Sequence, residues 1–250
     1  MIEIDATVRD ETIVADAPSA VPPTAPSTAE VTATAYDLML RRIRSWGLWS
    51  LGWGVMHVVG LGALSAPFGI LLLLVGLASF YFREAAMFVV YGVTLAWAAT
   101  SNMLSGEASW IGLGLVQLVF VYRIFRQFFH FRRVQADHAE LTADTGLDSP
   151  PAPERAPHIF PWLAALLGPL ALAGLVASFV GSIMFFALTG AEELPDVAYA
   201  LVDSIFNLGV LALALGLASL LCGFRYKALA IVGVAAGALQ LVIWLGLVLL

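Results

Sequence analysis

The sequence predicts an all-α polytopic membrane protein, seven transmembrane helices divided four and three behind a disordered N-terminal tail. Three observations predict it. The 250 residues are 60% hydrophobic and only 12% charged, where soluble domains run near a quarter charged. Seven apolar stretches follow one another, most of them close to the roughly 17–25 residues that cross a bilayer. Counted from a cytoplasmic N-terminus, these crossings put all 12 lysines and arginines on one side, as insertion prefers. The mean hydropathy of +0.90 agrees.

Residues 1–35 hold Pro18, Pro22, Pro23 and Pro26 among alanines, threonines, serines and acids. They carry too little apolar surface to offset chain entropy and are expected to be a disordered cytoplasmic tail. Residues 36–133 form a four-helix membrane unit, with apolar stretches at 46–64, 67–83, 85–104 and 109–129. The first two are separated by little more than Ala66 and Pro67. One helix through both would run about 37 residues, too long for one crossing, so a tight hairpin is expected. Pro67 suits the first turn of its second arm, where a missing N–H is not needed. Trp46, Trp49 and Trp53 stand about one turn apart at the start of the first span and read as interfacial lipid contacts.

The fourth stretch, WIGLGLVQLVFVYRIFRQFFHFRR over 110–133, changes character along its length. It begins as hydrocarbon and ends basic and aromatic. Arg123, Arg126, His130 and Arg133 recur at three- and four-residue steps, so a helix gathers them on one face. Phe125, Phe128, Phe129 and Phe131 crowd the rest. This is the pattern of an interfacial helix running into anionic headgroups. Residues 134–158 are polar, proline-rich and net acidic, and are expected to be a flexible cytoplasmic linker.

A three-helix unit fills 159–250, with apolar stretches at 160–188, 198–222 and 228–249. Pro169 falls inside the first of these and should kink it. Small residues recur at packing intervals: Gly233 and Gly237, Ala212 and Gly216, and a stripe through Gly168, Ala171, Gly174, Ser178 and Gly181. They allow close backbone approach where large apolar side chains gain nothing over lipid. Packing within the unit and formation of a homo-oligomer are both open to them.

Charge gives the orientation. Arg9, Arg41, Arg42 and Arg44 precede the first span, and Arg83 lies between the second and third. Arg123, Arg126, Arg132 and Arg133 close the fourth, Arg155 lies in the linker, and Arg225 and Lys227 separate the sixth and seventh. The opposite side receives Glu107, Glu192, Glu193 and Asp196. The chain is therefore expected in the cell membrane, N-terminus cytoplasmic and Leu250 at the outer face. Its basic residues point to anionic headgroups as partners. No basic face is broad enough for nucleic acid. The first apolar run begins near Trp46, behind an acidic leader, which is the wrong order for a cleavable signal peptide.

Few polar residues fall inside the spans, and each is a candidate for function. His57, in the first, could carry a proton, ligate haem or hydrogen-bond a neighbouring helix. A bis-histidine haem finds no second histidine at matching depth, since His130, His138 and His158 lie at or beyond the inner surface. Asp203 and Asn207, one turn apart, could bind a cation or relay a proton; alternatively the span starts near Ser204 and leaves Asp203 in the headgroups. Gln117 and Gln240 suit helix-to-helix hydrogen bonds. The acids of the outer side lack the ligand spacing of a calcium loop. Cys222, the single cysteine, excludes an intrachain disulfide and reads as a small apolar residue.

Catalytic motifs are absent: GxSxG, HExxH, a Walker loop and CxxC do not occur. The one lysine, Lys227, sits at an interface, so a retinal Schiff base at mid-helix is excluded. No enzyme activity, metal or cofactor is expected. The leading expectation is a non-enzymatic scaffold or accessory subunit that packs on itself or on a membrane partner. The alternative is a small-solute or ion transporter built on His57, Asp203 and Asn207.

The end of the chain has a recognisable cadence, LALGLASLLCGFRYKALAIVGVAAGALQLVIWLGLVLL. A helix rich in Gly, Ala and Leu meets a short basic turn, then Ala228 to Gly233, with Gly237 following. This segment resembles a family of small bacterial membrane domains of unknown function, whose hairpins open in a similar way after a basic loop. The resemblance covers the last fifth of the chain. It implies a helical hairpin there and no particular activity.

Overall fold

The structure, a computed structural model, describes residues 28–59, 66–82, 84–104, 108–145, 159–191 and 193–249. Seven helices occur in it: α1 (Thr28–Val59), α2 (Ala66–Tyr81), α3 (Ala86–Leu104), α4 (Ala108–Thr145), α5 (Ile159–Thr189), α6 (Asp196–Leu221) and α7 (Lys227–Leu249). Among the described residues there is no strand.

Five helices are long and apolar enough to cross a membrane: α3, α4 over Ala108–Val134, α5, α6 and α7 over Lys227–Gly246. The expected number was seven. The 16 residues of α2 reach only about 24 Å at 1.5 Å each, against a hydrocarbon layer of roughly 30 Å. In α1 Arg41, Arg42 and Arg44 fall near the middle, and the described helix stops at Val59. The expected end of that span, residues 60–64, lies outside the described residues.

Two boundaries also differ. Helix α1 begins at Thr28, inside the stretch expected to be disordered, and α4 continues to Thr145, through the first part of the expected linker. Both extensions lack proline and glycine; Pro26 is the last proline before α1, and Gly146 directly follows α4. Nothing in either stretch forces the helix to stop. On α1, Arg41 Nε donates to Asp37 Oδ2 at 3.0 Å, a bond one turn long. Residues 1–27 and 146–158, the rest of the tail and linker, lie outside the described residues.

Helices α1 and α2, α3 and α4, and α6 and α7 pack as antiparallel pairs, α5 packs on both α6 and α7, and glycines set how closely. Gly47 of α1 faces Gly76 and Ser79 of α2, and Gly54 faces Gly69 and Leu73. Between these levels Ser50 Oγ donates to the Leu72 carbonyl at 2.8 Å. Gly114 of α4 lies against the Ala99 carbonyl of α3, and Gly92 receives the Phe125 ring. In the C-terminal half Gly233 faces Ala164, Gly216 faces the Ala230 carbonyl, Gly237 faces the Gly209 carbonyl, and Gly174 takes Ile205. Ala212 is fully buried. Pro169 leaves α5 continuous, as neighbouring helices can permit.

One buried cluster runs through both halves. It takes Ile43 from α1, Val75 from α2, Phe88 from α3, Phe131 from α4, Phe160 from α5 and Ala218 from α6. The two sets of helices thus share a core, joined chiefly where α3 meets α6. Two residues beyond α6 stands Gly223, whose φ of 75° only glycine adopts freely. The Phe224 N–H then reaches back to the Ser219 carbonyl at 3.0 Å, closing the last turn.

Candidate functional site

Helix α4 has two working faces. Ile124, Phe128, Phe131 and Val134 are buried, spaced as one side of a helix. Phe128 and Phe131, expected among lipid headgroups, therefore belong to the core, where Phe131 meets Phe88 with ring centroids 6.3 Å apart. The other face carries Arg123, Arg126, His130 and Arg133. Together with Arg42 of α1 they line a cleft of about 800 Å³, and among the described residues no carboxylate lines its wall.

Trp46 of α1 also lines this cleft. Its indole N–H donates to Gln127 Oε1 at 2.9 Å, tying α1 to α4. Its ring meets Phe120 edge-on, centroids 6.0 Å apart. Behind these two rings lies a second cavity of about 240 Å³ between α1, α2, α3 and α4, and Trp46 and Phe120 line both spaces. Trp49, Trp53 and His57 stand along the α1 side of that cavity. Trp49 is 61% exposed, while Trp46 and Trp53 are half-buried.

The hydroxyls on the cavity wall are directed into the helices. Ser50 donates to the Leu72 carbonyl at 2.8 Å, Thr94 to Val90 at 2.8 Å, and Tyr91 to Val75 at 3.2 Å. Gln117 Oε1 accepts from Asn102 Nδ2 at 2.8 Å. The wall so presented is aromatic and aliphatic, suited to a hydrocarbon guest more than to a hydrated ion. His57 lies near the end of the described part of α1. Its ring lies edge-on to Phe68 at 5.1 Å and tilted to Trp53 at 6.3 Å.

Asp203 and Asn207 lie elsewhere, on the seam between α3 and α6. Trp97 Nε1 donates to Asn207 Oδ1 at 3.1 Å, and Asn207 Nδ2 donates to Asp203 Oδ2 at 3.4 Å. Asn207 is 4% exposed. Helix α6 already begins at Asp196, so Asp203 stands two turns inside it. Neither residue lines the cavity that holds His57. The three residues expected to make one intramembrane site thus occupy two places.

The remaining candidates have structural surroundings. Gln240 Nε2 donates to the Ile205 carbonyl at 2.9 Å, and its amide packs on Gly209. Among the described residues no three His, Cys, Asp or Glu side chains gather as metal ligands; Glu107 and Glu192 lie outside them. Cys222 caps α6.

Sequence reasoning did not single out Arg42 or Gln127, the partners that turn a basic stripe into a cleft, nor the glycines of the α1–α2 seam. The seam had a legible signal: Gly47 and Gly54, like Gly69 and Gly76, are seven residues apart, a spacing that returns a residue to one helix face. The pairing of Arg42 with α4 had none, because it depends on how α1 is rotated.

Fold and site together define a class: a helical bundle with five membrane-length apolar helices, and a basic cleft adjoining an apolar cavity. No family model, no curated protein and no solved structure matches the chain, so the functional argument rests on this geometry.

Proposed function

We propose that the chain is a non-enzymatic multi-pass protein of the cell membrane, a scaffold or accessory subunit that packs against a membrane partner or a second copy. In this reading α1 and α2 complete seven crossings as a glycine-seamed hairpin. The N-terminus is cytoplasmic, the C-terminus lies at the outer face, and the basic cleft meets anionic headgroups on the cytoplasmic side. The observation that carries the reading is what the interior polar groups do. Asn207, Gln117, Gln240 and Ser50 each hydrogen-bond to a neighbouring helix. They hold helices together, and no acid, base and nucleophile converge among them. The transport alternative called for His57, Asp203 and Asn207 around one site, and the cavity lined by His57 contains neither of the other two.

Crosslinking in native membranes tests this. A photo-crosslinker at Phe179, on the exposed side of α5, should trap a discrete species of higher mass. A strict monomer, together with solute flux in liposomes that Asp203→Asn and His57→Ala abolish, would replace the accessory role with transport.

A further inference from the structure

The basic cleft and the apolar cavity between α1 and α4 are adjacent, share two walls and differ in chemistry. The cleft carries the guanidinium groups of Arg42, Arg123, Arg126 and Arg133, and no carboxylate among the described residues lines it. Arg41 beside it is turned along α1 to Asp37, so the helix separates its paired arginine from the one that faces the cleft. The cavity is lined by rings and aliphatic chains whose neighbouring hydroxyls already donate to helix carbonyls. At about 240 Å³ it exceeds the roughly 150 Å³ of an apolar cavity that holds benzene. A soluble anion would use the cleft and leave the cavity empty; a neutral hydrocarbon would do the reverse. Only an amphiphile with a negative head matches both.

We propose that these two spaces form one binding site for a single anionic phospholipid. Its phosphate lies among Arg42, Arg123, Arg126 and Arg133, where guanidinium groups can each offer paired N–H donors. One acyl chain passes Trp46 and Phe120 into the cavity beside Trp53. The Trp46–Gln127 hydrogen bond fixes the threshold between head and tail. This site rests on the membrane-embedded reading of the chain and is independent of the accessory role.

The test uses the full chain in phosphatidylcholine bilayers containing a small fraction of brominated-chain phosphatidylglycerol or, in parallel, brominated-chain phosphatidylcholine. Bromine quenches indole fluorescence on contact. Exposed tryptophans such as Trp162 sense both lipids alike, so the excess quenching by phosphatidylglycerol reads the site. That excess is expected in the unaltered protein. Arg123→Gln and Arg126→Gln should each weaken the apparent binding about fivefold, the equivalent of about 1 kcal/mol per basic residue at an anionic surface. Arg42→Gln, on the facing helix, should do the same, which guards against a local defect in α4. Val116→Phe, an exposed position on the cavity wall, should remove the excess while leaving quenching by phosphatidylcholine intact. Glycerol 3-phosphate, which has the head and no chain, should fail to compete.

Equal quenching by the two lipids would overturn the proposal. So would an excess indifferent to the arginine variants or to Val116→Phe, and so would full competition by glycerol 3-phosphate, which would mark a soluble-anion site. Loss of lipid preference with crosslinked partners retained removes this site alone; lipid preference without any partner removes the accessory role alone.

Discussion

Asn207 accepts the Trp97 indole N–H at 3.1 Å in a place water does not reach. Replacing it with leucine leaves that N–H without its acceptor. A buried unsatisfied donor costs about 1–3 kcal/mol, and interhelical hydrogen bonds in membranes average about 0.6 kcal/mol. Asn207→Leu should therefore lower unfolding stability in detergent by roughly 1 kcal/mol, near the join of these ranges. Asp203→Asn should change it by less than about 0.5 kcal/mol, since the 3.4 Å bond it receives is at the weak limit of geometry. Equal losses in the two variants would show that the carboxylate is the anchoring group. Residue identity alone gave the candidates: an aspartate, an asparagine and a histidine in apolar helices stand out in any reading of the chain. Their separation was not legible. Depth along a helix can be counted from sequence, but the direction a side chain takes around the axis depends on which helices it meets.

Glycines mark the helix seams, and their surroundings divide them sharply. A Cβ on Gly54 would sit 2.9 Å from the Gly69 carbonyl oxygen and 2.8 Å from Leu73 Cγ, whereas Gly52 and Gly181 have nothing within 4 Å. Gly54→Leu should open the α1–α2 hairpin and cost about 1–3 kcal/mol or more, as overpacking does. Gly52→Leu and Gly181→Leu should lie within about 0.5 kcal/mol of the parent. Thermal unfolding of the three proteins in one detergent checks the contrast, and a similar loss at Gly52 would refute the seam. At this scale the sequence announced helices well and their ends badly. The apolar runs located all seven elements. Residues 28–35 and 134–145 read as tail and linker because they are polar, yet alanine and the lack of proline or glycine let them continue as helix.

For the molecule as a whole, the arrangement of charge makes the most exposed statement. Arg42 of α1 and the basic face of α4, more than eighty residues further along the chain, line one cleft. The positive-inside reading predicts that a tag at the N-terminus is reached only after permeabilisation and one at the C-terminus is reached from outside. Both ends labelled from the same side would refute the seven-crossing topology. The all-helical architecture was legible because composition and apolar length suffice for it. The cleft was half legible: the stripe Arg123, Arg126, His130 and Arg133 could be drawn on a helical wheel, but its facing wall could not. Helix α2 carries a last consequence. A crossing by its 16 described residues falls about 6 Å short of the roughly 30 Å hydrocarbon layer, against 31 residues in α5. If those residues set the span, the bilayer along the α1–α2 flank thins to match, at a fraction of a kcal/mol per ångström. Short-chain lipids would gather there at lower cost, and thin membranes would retain the protein better than thick ones.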